Sequence, residues 1–527
     1  MTEVDLIHRV NIGDLLTRSA RRYASREMVC DGDRRWSYAE FDAWVNRIAH
    51  GLMAQGVRKG DAIGLMSGNR AEFLAVYFAC ARMGAVCVPI NLLWRQAELG
   101  YVLGHSEVRA VIVEADHLDA LLPNLPQTAE FLGVFVIGGE EAGRQDGIAL
   151  QPFEGLELDQ PTSLPEVAVG DRDPLSYLYT SGTTSAPKGV VGTHLGIYIQ
   201  SLGTAIDTRM SERDRVSVML PLFHTAQINA ICTPAITVGA SLVILPSVDV
   251  PRLHQLVEEE RLTLLFGLPM VYERLVVLQK SGPRDISSLR LAIYAMAPFT
   301  EAMLAEAHQV LDCEFSLLFG QTEMSPVTTF FRPEHQFTHQ GAVGTPTINV
   351  EVAIMDSDGN LLPTGESGEI VYRGPQTMAE YLRNPEATAE AFRHGWFHSG
   401  DAGHFDQDGI LWFDDRFKDV IKSGGENVSS IEIEVAIRSI APEIVDVAVI
   451  GLPHPHWGEA ITAVIVPPTG EAFDWGAFRH ALRSRLSPFK CPKDLILLES
   501  LPKTATGKIE KAKLRRAYLQ HYASAER

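Results

Sequence analysis

Between Ala62 and Phe319 the chain keeps repeating one pattern, a short apolar run, a loop and a helical stretch, and this repetition limits the fold more than any other feature. Ala62–Met66, Ala85–Ile90 and Ala110–Val113 read as strands, and Ala71 to about Met83 as a helix stopped by Gly84. Strands separated by such a helix pair in parallel, because a crossover is needed to start the next strand in the same direction. The pattern resumes with candidate strands at Val216–Leu220, Ser241–Leu245, Leu262–Phe266, Leu289–Ala295 and Phe315–Phe319. Upstream, Ser37-x-x-Glu40 has the form of a capping box; it opens a helix whose apolar residues Phe41, Trp44, Val45, Ile48 and Leu52 recur at helical spacing until Gly56. Gly138 to Asp173 loses this periodicity and is expected to be a surface excursion.

The character changes at Asn349. Short alternating strands, Val350–Met355, Glu369–Tyr372 and Leu411–Phe413, suggest a β-rich subdomain. Beyond the charged stretch Asp415-Arg416-Phe417-Lys418-Asp419 comes a self-sufficient α+β pattern: helix Ile431–Ile440, strands Val445–Leu452 and Ile461–Val466, helix Ala477–Leu486 and strand Leu495–Leu498. The expected fold is therefore α/β. A large N-terminal domain (1–417) has parallel and mixed sheets with crossover helices, and a small mobile α+β domain (418–527) follows, with the boundary at about Lys418. A chain of 527 residues is too long for one ordinary core. Its formal net charge of −20, with no basic stripe, argues against nucleic acid and against an anionic membrane surface as partners. The six cysteines are scattered, mostly in apolar runs, and read as buried reduced thiols. The absence of a leader-like N-terminus and of a membrane-length apolar stretch points to the cytoplasm.

The most unusual stretch is Tyr179-Thr180-Ser181-Gly182-Thr183-Thr184-Ser185-Ala186-Pro187-Lys188-Gly189, directly after the strand-like run Leu175–Leu178. Small hydroxyl and glycine residues let backbone approach a ligand closely and offer N–H and O–H groups to phosphate oxygens, and Lys188 adds a positive charge. It is not a Walker A loop, which would need Gly at 187 and Ser or Thr at 189. Ser185-x-x-Lys188 lacks the partner motifs of a penicillin-binding site. A second stretch, Leu318-Phe319-Gly320-Gln321-Thr322-Glu323, ends an apolar strand in Gly, Thr and Glu. Gly320 would let a planar base approach, while a hydroxyl and a carboxylate suit phosphate and a metal ion. In Trp396-Phe397-His398-Ser399-Gly400-Asp401, a carboxylate at the end of a turn suits a two-pronged grip on ribose hydroxyls. Leu220-Pro221-Leu222-Phe223-His224, Lys422-Ser423-Gly424-Gly425-Glu426-Asn427-Val428 and Pro502-Lys503-Thr504-Ala505-Thr506-Gly507-Lys508 complete the set.

Taken in order, these stretches resemble the signatures of the adenylate-forming superfamily, which includes acyl-CoA synthetases, luciferases and peptide-synthetase adenylation domains. The hydroxyl-rich loop is similar to T-S-G-T-T-G-x-P-K-G, with Ser185 in place of a Gly; the second stretch is similar to Y-G-x-T-E, with Phe319 in place of Tyr. The resemblance implies that Thr180, Ser181, Gly182, Thr183, Thr184, Lys188, Ala297, Phe319, Gly320, Thr322, Asp401 and Arg416 bind the nucleotide. Phe319 would stack on adenine, Thr322 contact the α-phosphate, Asp401 and Arg416 hold the ribose, and Thr183 and Glu323 hold Mg²⁺. Lys508, Thr183, Glu323 and His224 would be the catalytic set, Lys418 the hinge, and Lys422, Gly424 and Gly425 the CoA contacts. Phe223, His224, Met296 and Gln321 would border the acyl group.

The implied reaction is the two-step synthesis of an acyl-CoA from a carboxylic acid, ATP and CoA, with release of AMP. Apolar wall residues near Phe223–Asn229 and Leu265–Met270 favour a bulky hydrophobic acid. Expected partners are this acid or its acyl-adenylate and CoA; a homodimer is compatible with the composition. Two other readings stay open. In Ile293-Tyr294-Ala295-Met296-Ala297-Pro298-Phe299, Ala295 and Met296 stand where the family pattern has smaller residues, and with Ser185 they would suit an enzyme that only thioesterifies a ready-made adenylate. A non-catalytic binder of acyl-nucleotide or acyl-CoA would have no need of Lys508.

Overall fold

The computed structural model describes residues 7–522 except 95, 140–142, 146, 181–186, 296–298, 417–418, 424–425, 455, 469–474, 484, 487 and 504–508. Two compact units divide the chain, one formed by the described residues of 1–180, 186–352 and 372–397, the other by 353–371 and 398 onward.

The first unit contains the parallel sheets expected from the strand–helix alternation. Strand Ala62–Met66 and helix Ala71–Met83 fall where the sequence pattern put them. The sheet is eight-stranded, in the order Lys188–Thr193, Pro174–Thr180, Val86–Pro89, Ala62–Met66, Val108–Glu114, Gly133–Ile137, Ile148–Pro152, Gly143–Gln145. Its last members correct the reading of 138–173 as an excursion. Ile148–Pro152 pairs in parallel with Gly133–Ile137, and Phe153 and Leu156 just beyond it are buried against the rest of the unit. In a second sheet, Glu314–Gly320, Leu291–Tyr294, Leu264–Gly267, Arg215–Val218, Ser241–Ile244 and Glu27–Asp31 run in parallel, each beside the next. Val327–Phe331 and then Ala342–Pro346 extend it antiparallel beyond Glu314–Gly320.

Between these sheets lies helix Ala71–Met83, all of whose residues are buried, as a helix apolar on every side must be. Its charged members survive burial because they are paired: Arg82 donates to Asn46 Oδ1 at 2.6 Å and to the Asp42 carbonyl at 2.8 Å, and Glu72 accepts from Arg34 and Arg70. Helix Tyr38–Ala54 starts at the expected capping box, Ser37 with Glu40. All six cysteines are buried and free.

The second unit holds strand Leu411–Arg416 and most of strands Gly368–Arg373 and Phe397–Phe405, up to residue 371 of the former and from residue 398 of the latter. It also holds a sheet in the order Glu426–Val428, Ile421–Ser423, Gly458–Val466, Asp446–His454, with Asp494–Leu497 parallel to Gly458–Val466. Helices Ser430–Ile440 and Trp475–Leu482 cover one face and Lys511–Ala517 the other. Among the described residues no helix is long and apolar enough to cross a membrane.

One buried group makes the first unit pH-sensitive. His194 opens helix His194–Asp207 fully buried; its Nδ1 accepts the Ile12 N–H at 3.3 Å, and its Nε2 has no partner among the described residues. Burial depresses its pKa to about 4. Since the unfolded chain keeps the ordinary value near 6.5, it binds the proton more readily than the folded one. Stability is therefore complete above about pH 6.5 and falls as pH drops toward 4, by up to about 3 kcal/mol. His194→Asn retains an acceptor for Ile12; we expect it to be less stable at pH 7.5 and to flatten the fall in urea midpoint between pH 6.5 and 4.5.

Candidate functional site

Strands Pro174–Thr180 and Lys188–Thr193 pair antiparallel, Thr180 opposite Lys188 and Tyr179 opposite Gly189. These two strands flank the hydroxyl-rich stretch in sequence; Ser181, Gly182, Thr183, Thr184 and Ser185 themselves lie outside the described residues. The Tyr179 ring packs across Gly189, where a Cβ would come within 3.1 Å of it. The Tyr179 hydroxyl meets His105 Nδ1 at 2.8 Å.

Lys188 is met from a distant part of the chain. The segment Met378–Leu382 adds to the outer edge of Lys188–Thr193: Ala379 N–H donates to the Val191 carbonyl at 2.9 Å, Val191 N–H to Glu380 at 3.0 Å and Leu382 N–H to Gly189 at 2.7 Å. This covers an edge that would otherwise present unpaired backbone. It also brings the Tyr381 ring to 4.5 Å from Lys188 Nζ and the Tyr381 hydroxyl to 2.8 Å from Glu323 Oε1, to which it donates. The Met378 N–H donates to the Glu323 carbonyl at 2.7 Å.

Glu323 sits in the turn Thr322–Met324 that follows strand Glu314–Gly320. Here the structure corrects the reason given for Gly320. A Cβ there would lie 1.9 Å from the Pro326 carbonyl oxygen and 3.0 Å from the Thr328 nitrogen, so the chain's own return path demands glycine, whatever approaches from outside. Phe319 is half-buried at the strand end, beside Thr322 and Gln321 in the same turn. Gln321 Nε2 is buried with no partner among the described residues. Behind this turn Gln376, with no exposed surface, donates to the carbonyls of Met324 and Val327 at 2.6 Å each, while its own carbonyl accepts from Ser325 Oγ at 2.8 Å.

His224 caps the short helix that begins at Thr225; its Nδ1 accepts the Ala226 N–H at 3.4 Å, which leaves the ring proton on Nε2. Desolvation lowers its pKa, so the ring is neutral near pH 7. Asn69 fixes the segment leading to it, accepting from Leu222 N–H at 2.9 Å and donating to the Leu220 carbonyl at 3.0 Å. Phe223 packs against the core. Of the expected apolar wall, Met270 stands apart, 66% exposed. Met296 and Ala297 lie outside the described residues, and Ala295 is buried without a positive φ. Ala295 thus sits in ordinary backbone geometry, with no left-handed conformation for its Cβ to strain.

In the second unit, Asp401 and Arg416 are direct partners across the antiparallel strands Phe397–Phe405 and Leu411–Arg416. Glu369 holds the turn before Asp401, its Oε1 accepting the Gly400 N–H at 3.0 Å and its Oε2 lying 2.7 Å from His398 Nδ1. Lys418 lies outside the described residues, but Asp419 next to it is tied into the C-terminal body, accepting from Arg515 Nη1 at 2.6 Å. Lys422 pairs with Asn427 and Ser423 with Glu426 across antiparallel strands; Gly424 and Gly425 lie outside the described residues. Lys508 falls in 504–508, also outside, bracketed by a bridge between Lys503 and Ile509.

Gln376, Tyr381 and Glu369 were not singled out by sequence; each acts through residues remote in the chain, and no local pattern marks them.

The AMP-binding enzyme family matches residues 16–382, and the C-terminal domain of AMP-binding enzymes matches 432–508. The chain belongs to this family. It is 34% identical to a feruloyl-CoA synthase of Amycolatopsis over 96% of its own length and 99% of the relative's. It is also 34% identical to a long-chain-fatty-acid–CoA ligase of Mycobacterium tuberculosis, over 92% and 94%. Among solved structures, ATP-bound MatB from Rhodopseudomonas palustris superposes with a TM-score of 0.86 at 28% identity, covering 97% of this chain and all of that one. An anthranilate–CoA ligase in complex with anthranoyl-AMP gives 0.87 at 26%, covering 99% of this chain and all of that one. The protein is an AMP-forming acyl-CoA synthetase of the adenylate-forming superfamily; it uses ATP, CoA and a carboxylic acid.

Gly320→Ala tests the backbone origin of that glycine. The ligand-free protein should lose about 1–3 kcal/mol of stability in urea denaturation, the usual range for forcing extra volume into packed structure. A glycine needed only to clear space for a base would leave that stability unchanged.

Proposed function

We propose that this synthetase activates a bulky hydrophobic carboxylic acid in the cytoplasm, forming its acyl-adenylate from Mg·ATP and then passing the acyl group to CoA. The observation that carries the reading is the meeting of Lys188 and Glu323 on Tyr381, at the turn that bears Thr322 and follows the strand ending in Phe319 and Gly320. One unpaired cation and one unpaired carboxylate are thereby gathered at the base of the hydroxyl-rich loop. Neither Lys188 nor Glu323 forms an ion pair with a described residue, an arrangement suited to a polyphosphate and its cation.

In the first step a carboxylate oxygen attacks the α-phosphorus and pyrophosphate leaves. Lys188 and Lys508 lower the repulsion between two anions, Thr180 to Thr184 hold phosphate oxygens, and Thr322 holds the α-phosphate. Glu323, with Thr183, would hold Mg²⁺, which neutralises phosphate charge when bound. Phe319 and Gly320, with Ala297, take the adenine side, and Asp401 with Arg416 the ribose. In the second step the CoA thiolate attacks the acyl carbon and AMP leaves. Rotation about Lys418 exchanges Lys508 for the Lys422–Gly425 segment, which lines the pantetheine path. Neutral His224, with Nε2–H as donor, borders the acyl group together with Phe223, Met296 and Gln321. The preference for a bulky apolar acid is supported by relatives named for feruloyl, indoleacetate and long-chain fatty acyl substrates.

Both half-reactions on one preparation test this. Pyrophosphate exchange with a panel of aromatic and fatty acids should be robust, and Lys508→Ala should abolish it while sparing CoA transfer from synthetic acyl-adenylate. Absent exchange with efficient transfer would instead establish the thioesterification-only enzyme. Equal loss of both steps in Lys508→Ala would remove that lysine from its role.

A further inference from the structure

Tyr381 touches a cation with its ring and an anion with its hydroxyl. Lys188 Nζ stands 4.5 Å from its ring centroid, while its hydroxyl donates to Glu323 Oε1 at 2.8 Å. No ion pair joins Lys188 to Glu323, although both side chains contact this one residue. The ring is placed with precision. It is only 7% exposed, and its backbone is fixed on both sides. The Tyr381 N–H donates to Thr388 Oγ1 at 3.0 Å, and Tyr381 bridges to Val190 on the strand that carries Lys188. Gln376 and Met378 fix the turn that carries Glu323.

We propose that Tyr381 is a positioning residue: a spacer that keeps Lys188 free for phosphate and fixes the Glu323 carboxylate by one oxygen so that the other is free for the metal ion. The ring attracts the ammonium through its face, which costs the cation little when phosphate arrives. The hydroxyl selects one orientation of the carboxylate, so that less freedom is lost on metal binding. This inference rests on the nucleotide reading of Lys188 and Glu323, and it makes separate demands on the two halves of Tyr381. Tyr381→Phe removes the hydroxyl and keeps the ring, so only the Glu323 half should suffer. Tyr381→Leu removes both and lets Lys188 and Glu323 close on each other.

The test is Mg·ATP binding by titration calorimetry and Mn²⁺ binding by electron paramagnetic resonance in the presence of a non-hydrolysable ATP analogue, alongside steady-state kinetics. Tyr381→Phe should raise the metal dissociation constant by about three- to tenfold, the effect of losing one ordinary hydrogen bond that orients the carboxylate without itself touching the ion. Its KM for the carboxylic acid, its melting temperature and its CoA transfer from synthetic acyl-adenylate should stay at wild-type values. Tyr381→Leu should weaken both the metal and the nucleotide. Glu323→Gln and Lys188→Met serve as reference variants: if neither alters Mg·ATP binding, the nucleotide reading itself fails. If both do, and Tyr381→Phe binds metal as tightly as the wild type, the spacer role is overturned. A Tyr381→Phe that loses both half-reactions equally with a lowered melting temperature overturns it too, making the residue a packing element. Should Tyr381→Leu fail to fold, Tyr381→Phe alone decides.

Discussion

After strand Glu314–Gly320 the chain leaves sheet geometry until Val327, and the carbonyls of that bend have no ladder to bond into. Gln376 supplies the missing partners. Both its amide hydrogens go to carbonyls on either side of the bend, Met324 and Val327, while Asn349 Nδ2 donates to its side-chain oxygen and Ser325 Oγ to its backbone oxygen. A buried amide with every group satisfied gives a bend one conformation, since each bond lost would cost roughly 1–3 kcal/mol in buried unpaired groups. Glu323 and Thr322 can be held to a fixed place only because the residues after them are fixed in this way.

The same segment serves the neighbouring sheet. Two residues after Gln376 the chain begins to pair along the edge of Lys188–Thr193, so one stretch organises both the Glu323 carboxylate and Lys188. In a chain with net charge −20, that economy matters: cations for a triphosphate must be gathered locally and kept from the many carboxylates that could capture them. Elsewhere in the first unit, arginines such as Arg34, Arg35 and Arg290 are already committed to acidic partners. Lys188 rests instead on an aromatic face, where it is held without being neutralised.

Much of this was legible in the sequence. The parallel strands and the buried helix Ala71–Met83 followed from period and stop signals, since a continuous apolar run bounded by Gly84 has few other uses. The family was legible too, because its motifs are contiguous runs that follow one another in order along the chain. What stayed hidden was of two kinds. Ile148–Pro152 is a short outer strand with weak alternation, and only its pairing with Gly133–Ile137 makes it one. Tyr381, Gln376 and Glu369 act on residues far from them in sequence, through side-chain hydrogen bonds, and such relations leave no spacing to read.

Gly320 shows why a motif glycine can be found correctly for an incomplete reason. From sequence, glycine at a strand end beside a nucleotide motif suggests room for a base. In the fold, the Cβ position is already taken by the Pro326 carbonyl, so glycine is demanded even with no ligand present. The two demands are not rivals. The chain doubles back at 326 because the strand Val327–Phe331 must return antiparallel to Glu314–Gly320, and that return places Thr322 and Glu323 at the open end of the strand. The close backbone approach that excludes a side chain at 320 is therefore the same event that presents the carboxylate. Relieving the crowding by lengthening the bend would move Glu323 away from Tyr381, and with it the side-chain link that Tyr381 makes between the carboxylate and Lys188.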